Sequence, residues 1–441
     1  MVKELKNYRK AFILLTSLFF MWGLITVLVD SLIPRLKEIF ELSYFEAGLV
    51  QFAFFIAYGL VSIPAGTLLH RIGYKKGIIL GLGVMGIGCL LFYPAADLRL
   101  FPLFMIGYFI LASGMTILQV AANPYVTVLG DPLKASSRLN LSQAFNSLGT
   151  AIAPALGAIF ILSDPINNSE QIAALTTAEK ESYLLTEASA VQLPFLVLAT
   201  MLILLAIIVL FVKLPKLLQS QNTGNYSSAL KHKALSLGAL GIFLYVGAEV
   251  TIGSYLVNYF LDLDLVKTIR DNSWTNWFAS KVLGSDLESV DAKGIVGSFV
   301  IIYWTGAMVG RFIGSYLTAV FSPYKVLGVF AFCALLFVVA SMTSIGLWAM
   351  FFILLVGLFN SIMFPTIFSI AIADLGELKP EGSGILCTAI AGGAFIPPLY
   401  GLVTDFAGFK WAFLLVILCY AYIFIYSRRV PSLILSEIRT E

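Results

Sequence analysis

Gly66-Thr67-Leu68-Leu69-His70-Arg71-Ile72-Gly73-Tyr74-Lys75-Lys76-Gly77 is a short basic junction between two long apolar runs, at about 45–69 and 77–96. Each run is long enough for a membrane-spanning helix, which needs roughly 20 residues. The junction carries three cations and three glycines within a short stretch. It therefore reads as a polar surface loop that returns the chain into the bilayer.

The composition extends this reading to the whole chain. Of 441 residues, 59% are hydrophobic and 12% charged, and the mean hydropathy is +0.92. A soluble chain is typically about 45–50% apolar and about 25% charged. Too little charge is present to cover a water-facing surface. The apolar runs are continuous, which excludes an outer-membrane barrel with its alternating polar lumen residues. A net charge of +3 over this length gives no electrostatic footing for nucleic acid. No cleavable signal is evident in the first run.

Twelve spans are expected, at about 11–33, 45–69, 77–96, 101–122, 138–162, 191–212, 234–260, 294–321, 325–344, 348–373, 382–403 and 408–427. They divide into a six-helix half at 1–212, a polar linker at 213–233 and a second six-helix half at 234–441. With the N-terminus in the cytoplasm, about two-thirds of the Lys and Arg residues fall on cytoplasmic segments. Both termini are therefore expected inside, in a cytoplasmic (inner) membrane.

The halves echo each other. Gly66-Thr-Leu-Leu69 and Tyr74-Lys75 are matched by Gly314-Ser-Tyr-Leu317 and Tyr324-Lys325. Gln119 stands five residues before Pro124, as Asn360 does before Pro365. Gly149, Pro154 and Gly157 share their spacing with Gly393, Pro398 and Gly401. Matches in corresponding spans point to a 6+6 parallel repeat.

A charge at the bilayer centre costs about 2.5–3.5 kcal/mol on insertion scales, so charges retained there are functional candidates. Asp30, Glu249 and Arg311 stand well inside spans. Burial disfavours a carboxylate anion, so Asp30 can load and release a proton. Glu249 can accept hydrogen bonds or pair with a cation. Arg311 either snorkels to the cytoplasmic surface or partners an acid.

Neutral amides cluster as well. Gln119 and Asn123 are four apart on the fourth span, and Gln143 and Asn146 three apart on the fifth. Amides combine donors and acceptors, which suits a ligand rich in hydroxyls. Trp22, Phe145, Trp304, Asn360 and Phe364 could complete such a pocket by stacking and hydrogen bonding. Cys89, Cys333, Cys387 and Cys419 lie in apolar runs and read as packing residues; His70 and His232 read as residues of polar connections. No metal site, cofactor site or catalytic constellation is expected. Gly81-Leu-Gly-Val-Met-Gly86 mimics a phosphate loop but lies within a span, where small residues serve helix packing.

The junction 66–77 resembles the signature loop of the major facilitator superfamily, with His70 in place of the usual acid. Gln119-Val-Ala-Ala-Asn-Pro-Tyr-Val-Thr-Val-Leu-Gly130 and Arg138-Leu-Asn-Leu-Ser-Gln-Ala-Phe-Asn-Ser-Leu-Gly149 resemble the fucose–proton symporter family. Gly247–Leu256 and Gly357–Phe368 are similar to its bacterial glucose/galactose branch.

The resemblance implies an all-α membrane protein of twelve transmembrane helices in the major facilitator fold. It implies import of a neutral hexose by cation symport through alternating access. Asp30 matches an acid used in proton coupling, and Gln143 and Asn146 match sugar-contacting amides. Gln119 falls where fucose-transporting members have glutamate, and Glu249 where they have glutamine. Phe364 replaces a tyrosine, and Val27 and Val29 replace asparagines. These changes disfavour fucose and leave coupling to Asp30, assisted by Glu249.

The resulting expectation is a monomer in the lipid bilayer that carries glucose or galactose with a proton. Gln119, Asn123, Gln143, Asn146, Asn360, Phe364 and Trp304 would contact the sugar. Sodium coupling, an N-acetylglucosamine or fucose substrate, multidrug efflux and a non-transporting sensor are the alternatives.

Overall fold

The computed structural model describes residues 2–30, 44–160, 175–215 and 225–438. Long helices dominate it. In chain order they are α1 (Val2–Asp30), α2 (Tyr44–Ile72), α3 (Tyr74–Asp97), α4 (Phe101–Val128), α5 (Ala135–Phe160) and α6 (Thr177–Phe211). After the short helix Tyr226–Lys231 come α7 (Lys233–Asp262), the shorter helices Leu265–Asp271, Ser273–Leu283 and Ala292–Gly297, then α8 (Val300–Val320), α9 (Pro323–Thr343), α10 (Gly346–Asn360) and α11 (Met363–Ala371). The chain closes with α12 (Lys379–Thr388), α13 (Gly392–Ala407) and α14 (Phe409–Ile438).

Eleven helical stretches among the described residues are long and apolar enough to cross a membrane. The remaining expected span is α5, whose 26 residues carry Asn140, Gln143 and Asn146 among several serines. Within the described residues the expected spans fall on helices, but details differ, and the eighth is interrupted between the short helix Ala292–Gly297 and α8. The tenth and eleventh are not continuous: the tenth breaks after Asn360 and the eleventh passes through a 3-10 turn at Ala389–Ala391. Helix α6 begins 14 residues before the expected start near 191, because Thr176 and Glu179 form a reciprocal capping box. The Thr176 hydroxyl and backbone N–H donate to the Glu179 carboxylate at 2.6 and 2.9 Å, which holds that exposed acid below its ordinary range.

The α2–α3 junction turns at Gly73, whose φ of 78° is a left-handed conformation that suits glycine. His70 departs from expectation. It is not in a polar connection but in the last turn of α2, nearly fully buried, with Nε2 against Oε1 of buried Glu381 on α12. An acid is thus placed beside the junction by the facing helix. Ser383 on the same helix donates to the Val120 carbonyl at 2.8 Å.

The chain forms two compact units. One comprises 1–130, 145–226 and 376–388; the other comprises 131–144, 227–375 and 389–441. In the first, α3 packs along α4 and α6, with Phe92 stacked on Phe195 at 4.2 Å. In the second, α9 packs along α10 and α14, and α7 along α13 and α14. The segment 131–144 is secured there by a Ser136–Ser369 hydroxyl contact of 2.6 Å and by Asn140 donating to Thr366 at 3.1 Å.

Candidate functional site

The break between α10 and α11 organises the polar chemistry of the second unit. A broken span frees backbone carbonyls in a region without water, and such groups must find other partners. Here Arg311 of α8 fills that need: its Nε donates to the Ser361 carbonyl at 3.1 Å. Gly310 lets α8 come close enough, since a β-carbon there would stand 2.2 Å from the Leu358 carbonyl oxygen.

The same guanidinium faces an acid. Arg311 Nη2 lies 3.7 Å from Glu249 Oε1 of α7, and both side chains are largely buried. Of the two readings open for Arg311, the structure takes the second: it partners an acid. Tyr245 stands one turn before Glu249 on the same face and interacts with it. At the end of α10, fully buried Asn360 donates from Nδ2 to the Tyr303 hydroxyl at 2.6 Å and toward the Tyr420 hydroxyl at 3.4 Å. Its Oδ1 is buried and has no hydrogen-bond partner among the described residues. Three tyrosines, an amide and an ion pair thus meet where the helix is interrupted.

In the first unit the pattern is different. Asn123 is fully buried on α4, and both its amide atoms lack a hydrogen-bond partner among the described residues. One turn earlier, Gln119 Oε1 is in the same condition. An unpaired buried polar group costs about 1–3 kcal/mol, so such a cluster calls for an explanation. Asn146 is otherwise engaged: its Nδ2 donates to the Phe19 carbonyl of α1 at 2.9 Å, bracing a close α1–α5 crossing. Gln143, which belongs to the second unit, is buried on the same helix.

The remaining expected residues are placed unevenly. Phe364 is buried near the start of α11, with its ring 5.7 Å from Phe368. Trp304 is half-exposed and packs over Gly253; its neighbour Tyr303 is the residue that reaches Asn360. Asp30 is the last residue of α1, and its side chain lies outside the described residues. Sequence reading missed Tyr245, Tyr303 and Tyr420. The four-residue spacing of Tyr245 and Glu249 was the one available signal; the other two meet Asn360 only through the fold.

Comparison with known proteins is consistent across the whole length. The model of a family described as the Major Facilitator Superfamily matches residues 11–390. A glucose/galactose transporter of Brucella abortus biovar 1 (strain 9-941) is 47% identical over 424 residues, covering 96% of this chain and 94% of that one. An L-fucose-proton symporter of Escherichia coli (strain K12) is 35% identical, covering 96% and 93%. Among solved structures, the transporter FucP in the outward conformation superposes with a TM-score of 0.85 at 33% identity, over 96% of this chain and 99% of that one.

Proposed function

The chain belongs to the major facilitator superfamily, and from that premise we propose that it is a secondary transporter importing a neutral hexose, glucose or galactose, together with a proton. The observation that carries this reading is the pair of buried, neutral hydrogen-bonding amides at Gln119 and Asn123. They offer donors and acceptors to sugar hydroxyls without offering a net charge to an ionic substrate. The glucose/galactose and fucose–proton transporters among its relatives support the same substrate class.

In this account Gln119, Asn123, Gln143, Asn146 and Asn360 hydrogen-bond the sugar, and Phe364 and Trp304 present aromatic surface to it. Asp30 is the coupling acid. It takes a proton on the outside, which removes its charge from the membrane interior and permits the loaded protein to change state. Glu249 assists; the Arg311 guanidinium balances its charge when it is ionised. A discontinuous helix at Asn360 gives the site a place to flex, as broken helices do in other transporters.

A proton moving down 100 mV supplies about 2.3 kcal/mol, equivalent to roughly 40-fold accumulation. The chain spans the membrane many times; we place it in the cytoplasmic membrane with both termini inside and working as a monomer. Counterflow in proteoliposomes tests the substrate class. A labelled panel of glucose, galactose, fucose and N-acetylglucosamine should show exchange of glucose or galactose first. Exchange of none of these sugars would remove the proposal.

A further inference from the structure

Helices α9 and α14 pack side by side, and at one end a groove of about 770 Å³ opens between them. Its mouth carries Lys325, the third residue of α9, and Arg428, near the end of the apolar stretch of α14. Both are exposed, and none of the residues lining the groove is acidic. Ser322 and Tyr324 add hydroxyls at the same level. The first turn of α9 adds the positive end of a 21-residue helix, which favours an anion.

Below the mouth the lining becomes apolar. Val329 and Phe332 follow Lys325 by one and two turns, and are 59% and 45% exposed. Phe424 forms the opposite wall, its ring centroid 5.6 Å from that of Phe332. The Arg428 guanidinium lies 5.2 Å over the Phe424 ring, which holds the cation at the boundary between the two zones. Gly328 leaves the floor open, since a β-carbon there would stand 2.8 Å from the Ser427 hydroxyl. From Lys325 to Phe332 the groove descends about 10 Å at 1.5 Å per residue.

Two cations above an apolar channel that continues into a membrane span match one kind of molecule. We propose that this groove binds an anionic phospholipid of the surrounding bilayer, with its phosphate between Lys325 and Arg428 and an acyl chain along Val329, Phe332 and Phe424. The apolar part lies within two membrane-spanning stretches, so lipid is the partner that reaches it. Basic pockets between transmembrane helices bind anionic headgroups for this reason. The opposite face of α9 packs Val326 and Phe330 on Ile362, at the α10–α11 break. A lipid held on α9 therefore steadies the helix that supports the candidate site.

The test uses the full-length protein in detergent, with binding read by native mass spectrometry. Dioleoyl phosphatidylglycerol and dioleoyl phosphatidylcholine are added at equal ratios. The wild type is expected to retain phosphatidylglycerol in preference. The Lys325→Gln/Arg428→Gln variant is expected to bind it roughly 30-fold more weakly, corresponding to about 1 kcal/mol per cation, with phosphatidylcholine unchanged. The single variants should give intermediate losses, which keeps the test decisive if the double variant folds poorly. Equal retention of the two lipids by the wild type, or unchanged phosphatidylglycerol binding by the variants, would overturn the proposal. So would displacement of the lipid by glycerol 3-phosphate at equal concentration, because the acyl chain would then contribute nothing.

Discussion

Two groups of buried polar residues, one in each unit, can be compared: the cluster around Asn360 and the amides of α4. In the second unit, Arg311 faces Glu249 and donates to the Ser361 carbonyl, and Asn360 donates to Tyr303 and Tyr420, while Asn360 Oδ1 has no hydrogen-bond partner among the described residues. In the first, Gln119 and Asn123 present amide atoms that no other described residue meets. A paired network fixes geometry, whereas unpaired amides await a hydrogen-bonding ligand. In the proposed function, recognition therefore rests mainly on α4 and positioning mainly on the interrupted helix α10.

The largest effect expected is on coupling. Asp30→Asn should abolish accumulation of sugar against its gradient in proteoliposomes, a loss of the full roughly 40-fold ratio, while counterflow continues. If Glu249→Gln gave that phenotype and Asp30→Asn did not, the roles of the two acids would be exchanged.

Next comes the ion pair. Arg311→Ala leaves a buried acid without its counter-charge and the Ser361 carbonyl without its donor. Removing one partner of a buried pair typically costs about 3–5 kcal/mol. Thermal unfolding in detergent should show the loss, and Glu249→Gln/Arg311→Gln should recover part of it. A single Arg311→Ala variant as stable as the wild type would show that the pair positions nothing.

The amides then separate the two regions directly. Asn123→Ala should weaken sugar affinity by about 5- to 30-fold, equivalent to roughly 1–2 kcal/mol, with little change in unfolding temperature. Asn360→Ala should lower the unfolding temperature, because the Tyr303 and Tyr420 hydroxyls lose their common partner. Binding by equilibrium dialysis beside thermal unfolding reads both. Similar behaviour of the two variants would erase the contrast. The smallest effect is Tyr303→Phe, at about 0.6 kcal/mol of stability, the mean for hydrogen bonds between membrane helices.

How far these features could be read in advance follows from their physical range. The spans were legible because apolar length is a local property. Glu249 and Arg311 stood out because charge is scarce in the spans. The break after Asn360 was not legible: Pro365 lies beyond it, and the hydropathy of the run is continuous. Likewise His70 looked like a surface residue until Glu381, more than 300 positions away, was placed beside it. Pairings of this kind depend on which helices pack together, and single-span composition carries no record of that.

Proton movement itself is the most direct check. Proteoliposomes are prepared with equal pH on both sides and no sodium, and glucose or galactose is added outside while external pH is followed. Symport predicts that the sugar drives external alkalinisation as protons enter with it, and that Asp30→Asn removes the signal. Sugar entry with no pH change, or entry only after sodium is added, would contradict the account.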